Sequence, residues 1–207
     1  MEGILIIISG FSGAGKGTIV KHLLEDEQYA LSISATTRKP RAGEYEGQHY
    51  YFIDETEFKT MIKHDELIEY ASYVGNYYGT PKNYVLEQLA EGLDVILEIE
   101  MQGALQVKKQ FPDALLVFIT APTAYEIKER LIKRGTESLE LITKRLEKSL
   151  TEINAIDDYD YILVNDGLEE TVTHLHGIID SEHERVKRNK DLKDRLKKEF
   201  IELLKGE

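Results

Sequence analysis

A short stretch near the start of the chain combines closely spaced glycines with a lysine and a threonine. It consists of Gly10, Phe11, Ser12, Gly13, Ala14, Gly15, Lys16, Gly17 and Thr18, between an apolar run and a helical stretch. Such glycines allow the main chain to turn tightly, so that successive N–H groups converge on an anion. The dipole of the following helix and the charge of Lys16 add to that attraction. The spacing therefore predicts a loop that binds nucleotide phosphates, and the alternative is a structural turn without a ligand.

The threonine of this loop does not have its usual place. In the strict pattern a serine or threonine follows the lysine directly, whereas here Gly17 separates Lys16 from Thr18. Whether the hydroxyl of Thr18 would touch Mg²⁺ directly is therefore left open.

A second group of polar side chains follows between residues 34 and 80. Arg38 and Arg41 are three residues apart, and Ser34, Tyr50 and Tyr78 lie in the same stretch. Two guanidinium groups and several hydroxyls have the donors needed to surround a phosphate monoester. The alternative is a solvated basic turn with structural tyrosines.

The elements that must position these residues alternate along the chain. Uninterrupted apolar runs at 4–8, 95–97, 115–119 and 161–164 are typical of strands buried on both faces. Helical patterns occupy 19–25, 85–91, 103–110, 125–133, 139–156 and 168–188. This alternation predicts an α/β fold, a doubly wound parallel sheet with helices on both faces.

Two segments interrupt the alternation. Residues 34 to about 83 predict short strands and turns, and residues 122 to about 158 are mostly helical. We interpret the first as a small mixed α/β insertion and the second as a helical lid. The core would then consist of residues 1–33, 84–121 and 159–207. Its tail, from about 189, predicts a charged helix with one apolar face, formed by Leu192, Leu196, Phe200 and Leu203.

Composition excludes several classes of function. The 207 residues include 38 acidic and 26 basic side chains, a net charge of −12, which argues against a general nucleic-acid or anionic-membrane surface. An anionic small molecule in a local basic pocket stays possible. The absence of cysteine excludes disulfides, thiolate zinc sites and a cysteine nucleophile. The opening apolar run is too short for a signal peptide or a membrane span, so we expect a cytoplasmic protein.

With the phosphate loop, the stretch SATTRKPRAGEYEGQHYYF at 34–52 resembles the guanylate kinase family. The resemblance continues through Glu69, GNYYGT at 75–80, EIEMQG at 98–103, RGTE at 134–137 and VND at 164–166, and so covers the chain to about residue 188. It implies a P-loop kinase core in which residues 34–83 bind GMP. The phosphate of GMP would be bound by Ser34, Arg38, Arg41, Tyr50 and Tyr78.

The same resemblance matches Glu69 and Thr80 to the pair that recognises guanine. A carboxylate can accept hydrogen bonds from N1–H and the N2 amine of guanine, a pattern that adenine does not offer. The alternative for Glu69 is an ordinary surface carboxylate.

Glu98 and Glu100 follow a buried strand, at the edge of a parallel sheet where ligands gather. Their spacing of two would direct both side chains to the same side. The resemblance implies that Glu98 acts on Mg²⁺ through water and that Glu100 approaches GMP. The alternative is a pair of carboxylates bound to Lys16 or to an arginine.

Arg134 and Arg145 match arginines of the family's lid that close over the ATP phosphates, and Arg130 is a third candidate one turn earlier. Asn165 matches a position that contacts adenine. A solvated helix face is the alternative for the arginines. The catalytic cations would be Lys16, Arg38, Arg134 and Arg145.

The resemblance implies transfer of the γ-phosphoryl of ATP to GMP, and to dGMP, by direct in-line displacement with Mg²⁺. No general base stands out, because the acceptor phosphate is already anionic near neutral pH. Two alternatives stay open: a kinase for another nucleoside monophosphate, and a non-catalytic protein-binding module of the same fold. The partners expected are ATP and GMP, and the sequence does not distinguish a monomer from a homodimer.

Overall fold

A computed structural model describes residues 2–41, 43–73, 75–135 and 138–205. Its elements in chain order are β1 Leu5–Gly10, α1 Lys16–Leu23, β2 Tyr29–Leu31, β3 Ala35–Thr36, β4 Tyr51–Phe52, α2 Glu55–Lys63, β5 Leu67–Tyr73, β6 Asn76–Pro81, α3 Lys82–Ala90, β7 Asp94–Glu98, α4 Met101–Gln110, β8 Leu115–Thr120, α5 Ala124–Arg134, α6 Leu139–Glu152, β9 Tyr161–Val164, α7 Leu168–His183 and α8 Lys190–Lys205. A 3₁₀ helix, Ile153–Asp158, follows α6 directly.

The larger sheet has five parallel strands in the order β2-β7-β1-β8-β9. Ile6 and Ile8 of β1 pack with residues of α1 and α7, whereas Leu5 and Ile7 pack with residues of α3 and α4. Because successive side chains of a strand point to opposite faces, helices cover the sheet on both sides. The predicted fold class is confirmed.

The order of the strands places a crevice at the end of β1. The chain continues from β1 to one side of the sheet through β2 and β7, and later to the other side through β8 and β9. Ligands of doubly wound sheets bind where the order reverses in this way, outside the carboxyl ends of the strands. The predicted phosphate loop begins at this point.

The second sheet, within residues 34–83, has four strands in the order β4-β3-β6-β5. Helix α2 packs on it through Phe58, which is fully buried. The mixed α/β insertion was predicted without a position for this helix, and strand β2 is absent from the sequence-based prediction. The start of α2 has a local signal, because Asp54 caps it by accepting a hydrogen bond from the Glu57 N–H at 2.8 Å. The limits predicted for the core, the insertion and the lid stay a prediction.

Helix α8 confirms the charged helix predicted for the tail, and none of its residues is buried. The apolar side chains Leu192, Leu196, Phe200 and Leu203 are all exposed. Within the described ranges, no helix has both the length and the apolar character needed to cross a membrane.

We expect deletion of residues 190–207 to leave the stability of the core almost unchanged. No α8 side chain is buried, and changes at exposed positions are usually within about 0.5 kcal/mol, or a Tm shift below about 2 °C. Thermal unfolding of the full and shortened chains is the measurement. A fall in Tm of more than about 5 °C would show that the apolar face of α8 is covered in solution.

Candidate active site

The phosphate loop, residues 10–18, joins the carboxyl end of β1 to the start of α1. Gly13 and Gly15 have φ angles of +89° and +91°, which residues with a Cβ rarely adopt. Gly15 is also the N-cap of α1, and no side chain caps that end of the helix. The positive end of the helix dipole therefore lies at the loop, as an anion site requires.

Lys16 supplies the charge of the loop. Its Nζ donates to the main-chain oxygens of Gly10 at 2.8 Å and Phe11 at 3.2 Å. Burial lowers the pKa of Lys16, and nearby carboxylates, Glu98 above all, act in the opposite direction. The ammonium group is thus partly removed from water and surrounded by negative charge.

Helix α5 packs against one side of the loop. Phe11 is buried and meets Phe118 edge-on, with the ring centroids 4.9 Å apart. A Cβ on Gly13 would lie 3.1 Å from the main-chain oxygen of Ile127 and equally close to Leu131, both in α5. Contacts with α5 therefore help to fix the shape of the loop.

Asn165 braces the loop from the inner side. Its side chain is buried, and Nδ2 donates to the main-chain oxygen of Ala14 at 2.8 Å. A Cβ on Gly15 would come within 2.4 Å of the same nitrogen. Arg130 donates to the main-chain oxygen of Asn165 at 2.9 Å. In this structure both predicted ATP-binding residues support the loop, and their contacts with ATP stay predictions.

Helix α6 forms the far wall of a cavity in front of the loop. Arg145 donates to the Ser12 hydroxyl at 2.7 Å, and Lys148 donates to Glu100 at 2.7 Å. The full lining is Gly10, Ser12, Lys16, Glu100, Arg145, Lys148, Ser149 and Glu152.

The sequence analysis did not identify Lys148, Ser149 and Glu152. A signal for them exists, because positions three, four and seven after Arg145 share its face of a helix. Glu100 is thus paired with Lys148, a partner that the sequence analysis did not name.

Glu98 lies beside the first turn of α1. A Cβ on Gly17 would be 3.7 Å from both of its carboxylate oxygens, and the Thr18 side chain next to it is exposed. Burial raises the pKa of Glu98, while the positive charges of Lys16 and Arg134 oppose this shift. Carboxylate and hydroxyl oxygens are ligands that suit Mg²⁺. Among the described residues, no group of three or more His, Asp or Glu side chains could hold a metal ion.

The predicted phosphate-monoester site is centred on Arg38. Its guanidinium lies over the rings of Tyr50, at 5.3 Å, and Phe52, at 5.9 Å. The rings of Tyr50 and Tyr78 are 6.0 Å apart, and Arg38 also forms a side-chain hydrogen bond with Tyr78. Ser34 directly precedes β3, and its main-chain oxygen pairs with the Tyr51 N–H at 2.9 Å. Arg41 lies nearby with an exposed side chain.

Glu69 and Thr80 meet in the interior of the insertion. The Thr80 hydroxyl donates to Oε1 of Glu69 at 2.8 Å, and both residues are buried. Burial raises the pKa of Glu69 to about 7, although hydrogen bonds from the Thr80 side chain and main chain act against this shift. The predicted pair is therefore in contact, and Glu69 is not an ordinary surface carboxylate.

Helix α4 connects this pair to the core. Gln106 of α4 donates to the main-chain oxygen of Tyr70 at 3.0 Å, and Gln110 donates to that of Ile68 at 2.9 Å. A Cβ on Gly103 would lie 2.4 Å from Oε2 of Glu69. Gly103 thus gives the carboxylate the space it occupies, a role that the sequence analysis did not assign.

The charge of Glu98 acts on both anion sites. Burial lowers the pKa of Lys16, and the charge of Glu98 acts against that lowering. Burial raises the pKa of Tyr50, and the charge of Glu98 adds to that rise. Glu98 is therefore near enough to the phosphate loop and to the Arg38 site for its charge to act on a residue of each.

The family model for guanylate kinase matches residues 2–182. The chain belongs to the guanylate kinase family. This confirms the family resemblance, and residues of both anion sites and the Glu69–Thr80 pair all lie inside the matched range.

Related proteins agree with this assignment over most of the chain. A guanylate kinase of Caldanaerobacter subterraneus is 50% identical over 201 residues, covering 97% of this chain and 98% of the relative. One of Lactococcus lactis is 51% identical over 188 residues, covering 90% and 92%. The crystal structure of guanylate kinase from Anaplasma phagocytophilum superposes with a TM-score of 0.75 at 31% identity, covering 90% and 89%.

We expect Gly103→Ala to displace the Glu69 carboxylate. In a helix, alanine is normally favoured over glycine by about 0.5–1 kcal/mol, but a Cβ at residue 103 would meet Oε2 of Glu69 at 2.4 Å. The variant should therefore lower Tm and weaken GMP binding, measured by thermal unfolding and titration calorimetry.

Gly177→Ala is the matched control, because Gly177 lies within α7 and a Cβ there would meet no atom within 4 Å. It should raise Tm slightly and leave GMP binding unchanged. Equal effects of the two substitutions would contradict the role given to Gly103.

Proposed function

We propose that this chain transfers the γ-phosphoryl group of ATP to GMP, and to dGMP, giving ADP and the nucleoside diphosphate. The observation that carries the proposal is that one chain holds two anion sites, the loop with Lys16 at the start of α1 and Arg38 over the rings of Tyr50 and Phe52. A phosphoryl transfer between two nucleotides requires two such sites in contact.

On the donor side, Lys16 and the N-terminus of α1 would bind the β- and γ-phosphates of ATP. Arg145, which donates to Ser12 of the loop, would bind the same phosphates. Arg134 is exposed near Glu98 and would approach when ATP is bound. Arg130 and Asn165 would contact ATP through the loop they support.

On the acceptor side, Arg38 would bind the phosphate of GMP. Its partners would be Ser34, Arg41, Tyr50 and Tyr78. Glu69 and Thr80 would recognise guanine, since a carboxylate keeps acceptor positions beyond those that Thr80 uses. Glu100 would approach GMP after exchanging its contact with Lys148.

The oxygen atoms of Glu98 and Thr18 fit Mg²⁺, with Glu98 acting through water. The ion would neutralise phosphate charge and orient the phosphoryl group. Arginine and lysine side chains stabilise the negative charge that spreads over the transferred group. Closure of the lid would exclude water from the loop and so limit hydrolysis of ATP.

A screen of phosphate acceptors tests the proposal. GMP, dGMP, AMP, CMP, UMP and dTMP are each supplied with MgATP, and formation of ADP is measured. The proposal expects fast turnover with GMP and dGMP only. Turnover with another nucleotide would indicate a different monophosphate kinase, and none with any nucleotide would indicate the non-catalytic module. A cytoplasmic location and the oligomeric state stay predictions.

We expect Lys16→Ala to lower turnover by about 10²–10³, because one charge contact in the transition state contributes roughly 3–4 kcal/mol. Steady-state kinetics with GMP and ATP are the measurement. Lys21→Ala is the control, since Lys21 is an exposed lysine of the same helix. Activity of Lys16→Ala within about threefold of the parent would contradict the role of the loop.

We expect Glu69→Gln to lower kcat/KM for GMP by at least about tenfold. The ratio of kcat/KM for GMP to kcat/KM for AMP should also become smaller. An amide has one donor and one acceptor, which suits the adenine edge better and the guanine edge worse. The measurement is kcat/KM for both nucleotides. Glu66→Gln, at an exposed carboxylate three residues earlier, is the control. An unchanged ratio in Glu69→Gln would mean that Glu69 does not recognise the base.

The same variant should change the dependence of stability on pH. The pKa of Glu69 is raised to about 7 in the folded chain, against 4.5 in the unfolded chain. The contribution of Glu69 to the free energy of unfolding is therefore fully present below pH 4.5 and is lost as pH rises through about 7. The full loss amounts to roughly 3 kcal/mol. Denaturant titrations should show the parent losing stability relative to Glu69→Gln between these pH values and a constant difference above them.

A further inference from the structure

Glu44 lies in the turn between β3 and β4, within the stretch that carries the family resemblance, and none of the roles above uses it. Its carboxylate accepts hydrogen bonds from both terminal nitrogens of Arg38, at 2.9 and 3.0 Å. It also accepts the main-chain N–H of Arg41 at 2.7 Å. Glu44 therefore binds both of the arginines assigned to the acceptor phosphate.

The contact between Glu44 and Arg38 is partly shielded from water. Their side chains are only 17% and 14% exposed. The hydrogen bonds from Arg38 lower the pKa of Glu44 to about 2, so the carboxylate is ionised throughout the neutral range. The rings of Tyr50 and Phe52 fix the plane of the same guanidinium.

The geometry of a guanidinium determines which donors remain. NH1 of Arg38 uses its two hydrogens on Glu44 and on the main-chain oxygen of Lys39, at 2.7 Å. NH2 uses its inner hydrogen on Glu44. The outer NH2 hydrogen and the Nε hydrogen are parallel, and they form a second fork suited to two phosphate oxygens. The side-chain hydrogen bond with Tyr78 is consistent with this fork facing the Tyr78 hydroxyl.

We propose that Glu44 is a positioning residue for the acceptor phosphate, which holds Arg38 so that its second fork faces the place where the phosphate of GMP binds. The proposal rests on the proposed function, since it takes the Arg38 site as the GMP phosphate site. The competing idea is that Glu44 occupies the position of the phosphate and must leave before GMP binds. The two ideas predict opposite changes in the affinity for GMP when the Glu44 carboxylate is replaced by an amide.

The test compares the binding of GMP with that of guanosine, which has the same base and no phosphate. Calorimetric titration without ATP gives the ratio of the two dissociation constants, guanosine over GMP. Glu44→Gln keeps the size of the side chain, but its amide NH₂ faces an Arg38 nitrogen that also donates. We expect this variant to lower the ratio by about tenfold, through weaker GMP binding with guanosine binding unchanged.

Two further variants make the result specific. Glu46→Gln is the matched control, because Glu46 lies in the same turn and accepts only the main-chain N–H of Phe52, at 2.9 Å, among the contacts of the described residues. It should leave the ratio unchanged. Glu44→Asp retains the charge but is shorter by one methylene, and should give a ratio between those of the parent and Glu44→Gln.

The outcomes separate the proposal from the function on which it rests. A parent chain that binds guanosine as tightly as GMP would overturn both. A parent that prefers GMP, together with an unchanged ratio in Glu44→Gln, would overturn only the role of Glu44. Tighter GMP binding by Glu44→Gln would overturn the positioning role and support the idea that Glu44 occupies the position of the phosphate. Equal weakening of GMP and guanosine would indicate a general disturbance of the insertion and would also overturn it.

Discussion

Electrostatic repulsion between phosphate groups is the constraint on which this structure depends. The chain carries a net charge of −12, and it belongs to a family of kinases whose reaction brings two anions together. Positive charge must therefore be concentrated in one small region. Lys16, Arg145 and Lys148 line the cavity in front of the phosphate loop, and Arg38 is the cation of the second site. Carboxylates hold two of these cations: Glu100 holds Lys148, and Glu44 holds Arg38. Such pairs reduce the repulsion that clustered cations would otherwise create.

The topology of the larger sheet sets where the phosphate loop and Glu98 meet. The loop follows β1 at the point where the strand order reverses, and Glu98 ends the neighbouring strand β7. Two residues separate the end of β7 from the start of helix α4, which hydrogen-bonds to the edge of the second sheet through Gln106 and Gln110. One helix thus sets the distance between the phosphate loop and the insertion. Movement of α4 would alter both sites at once.

Glu69 shows how recognition of the base is linked to this arrangement. A buried carboxylate is unfavourable when no charged partner is present, and its pKa of about 7 expresses that penalty. The penalty is useful for selectivity, because a ligand with two suitable donors relieves it and a ligand without them does not. Gly103 makes this possible by leaving space for the carboxylate against α4.

The sequence by itself determined the fold class and pointed to most of the charged residues of the candidate site. The apolar runs of β1 and β8 are typical of strands covered on both faces, and the glycines of residues 10–17 indicate a tight loop because positive φ angles favour that residue. These properties are local, because each depends only on the residues within one segment of the chain. Helix α2 was missed because its residues are mostly polar and its one buried side chain, Phe58, gives little periodicity.

Only the tertiary structure decided which side chains meet. Residues 44 and 38 are close in sequence, but the fork between them depends on the turn that joins β3 to β4. Asn165 reaches the loop from a distance of 151 residues, and Lys148 reaches Glu100 across 48. The burial that raises the pKa of Glu69 comes from its neighbours in space, including Gly103 of α4. Distances and burial arise from packing between segments that are far apart in the chain, and no local pattern contains that information.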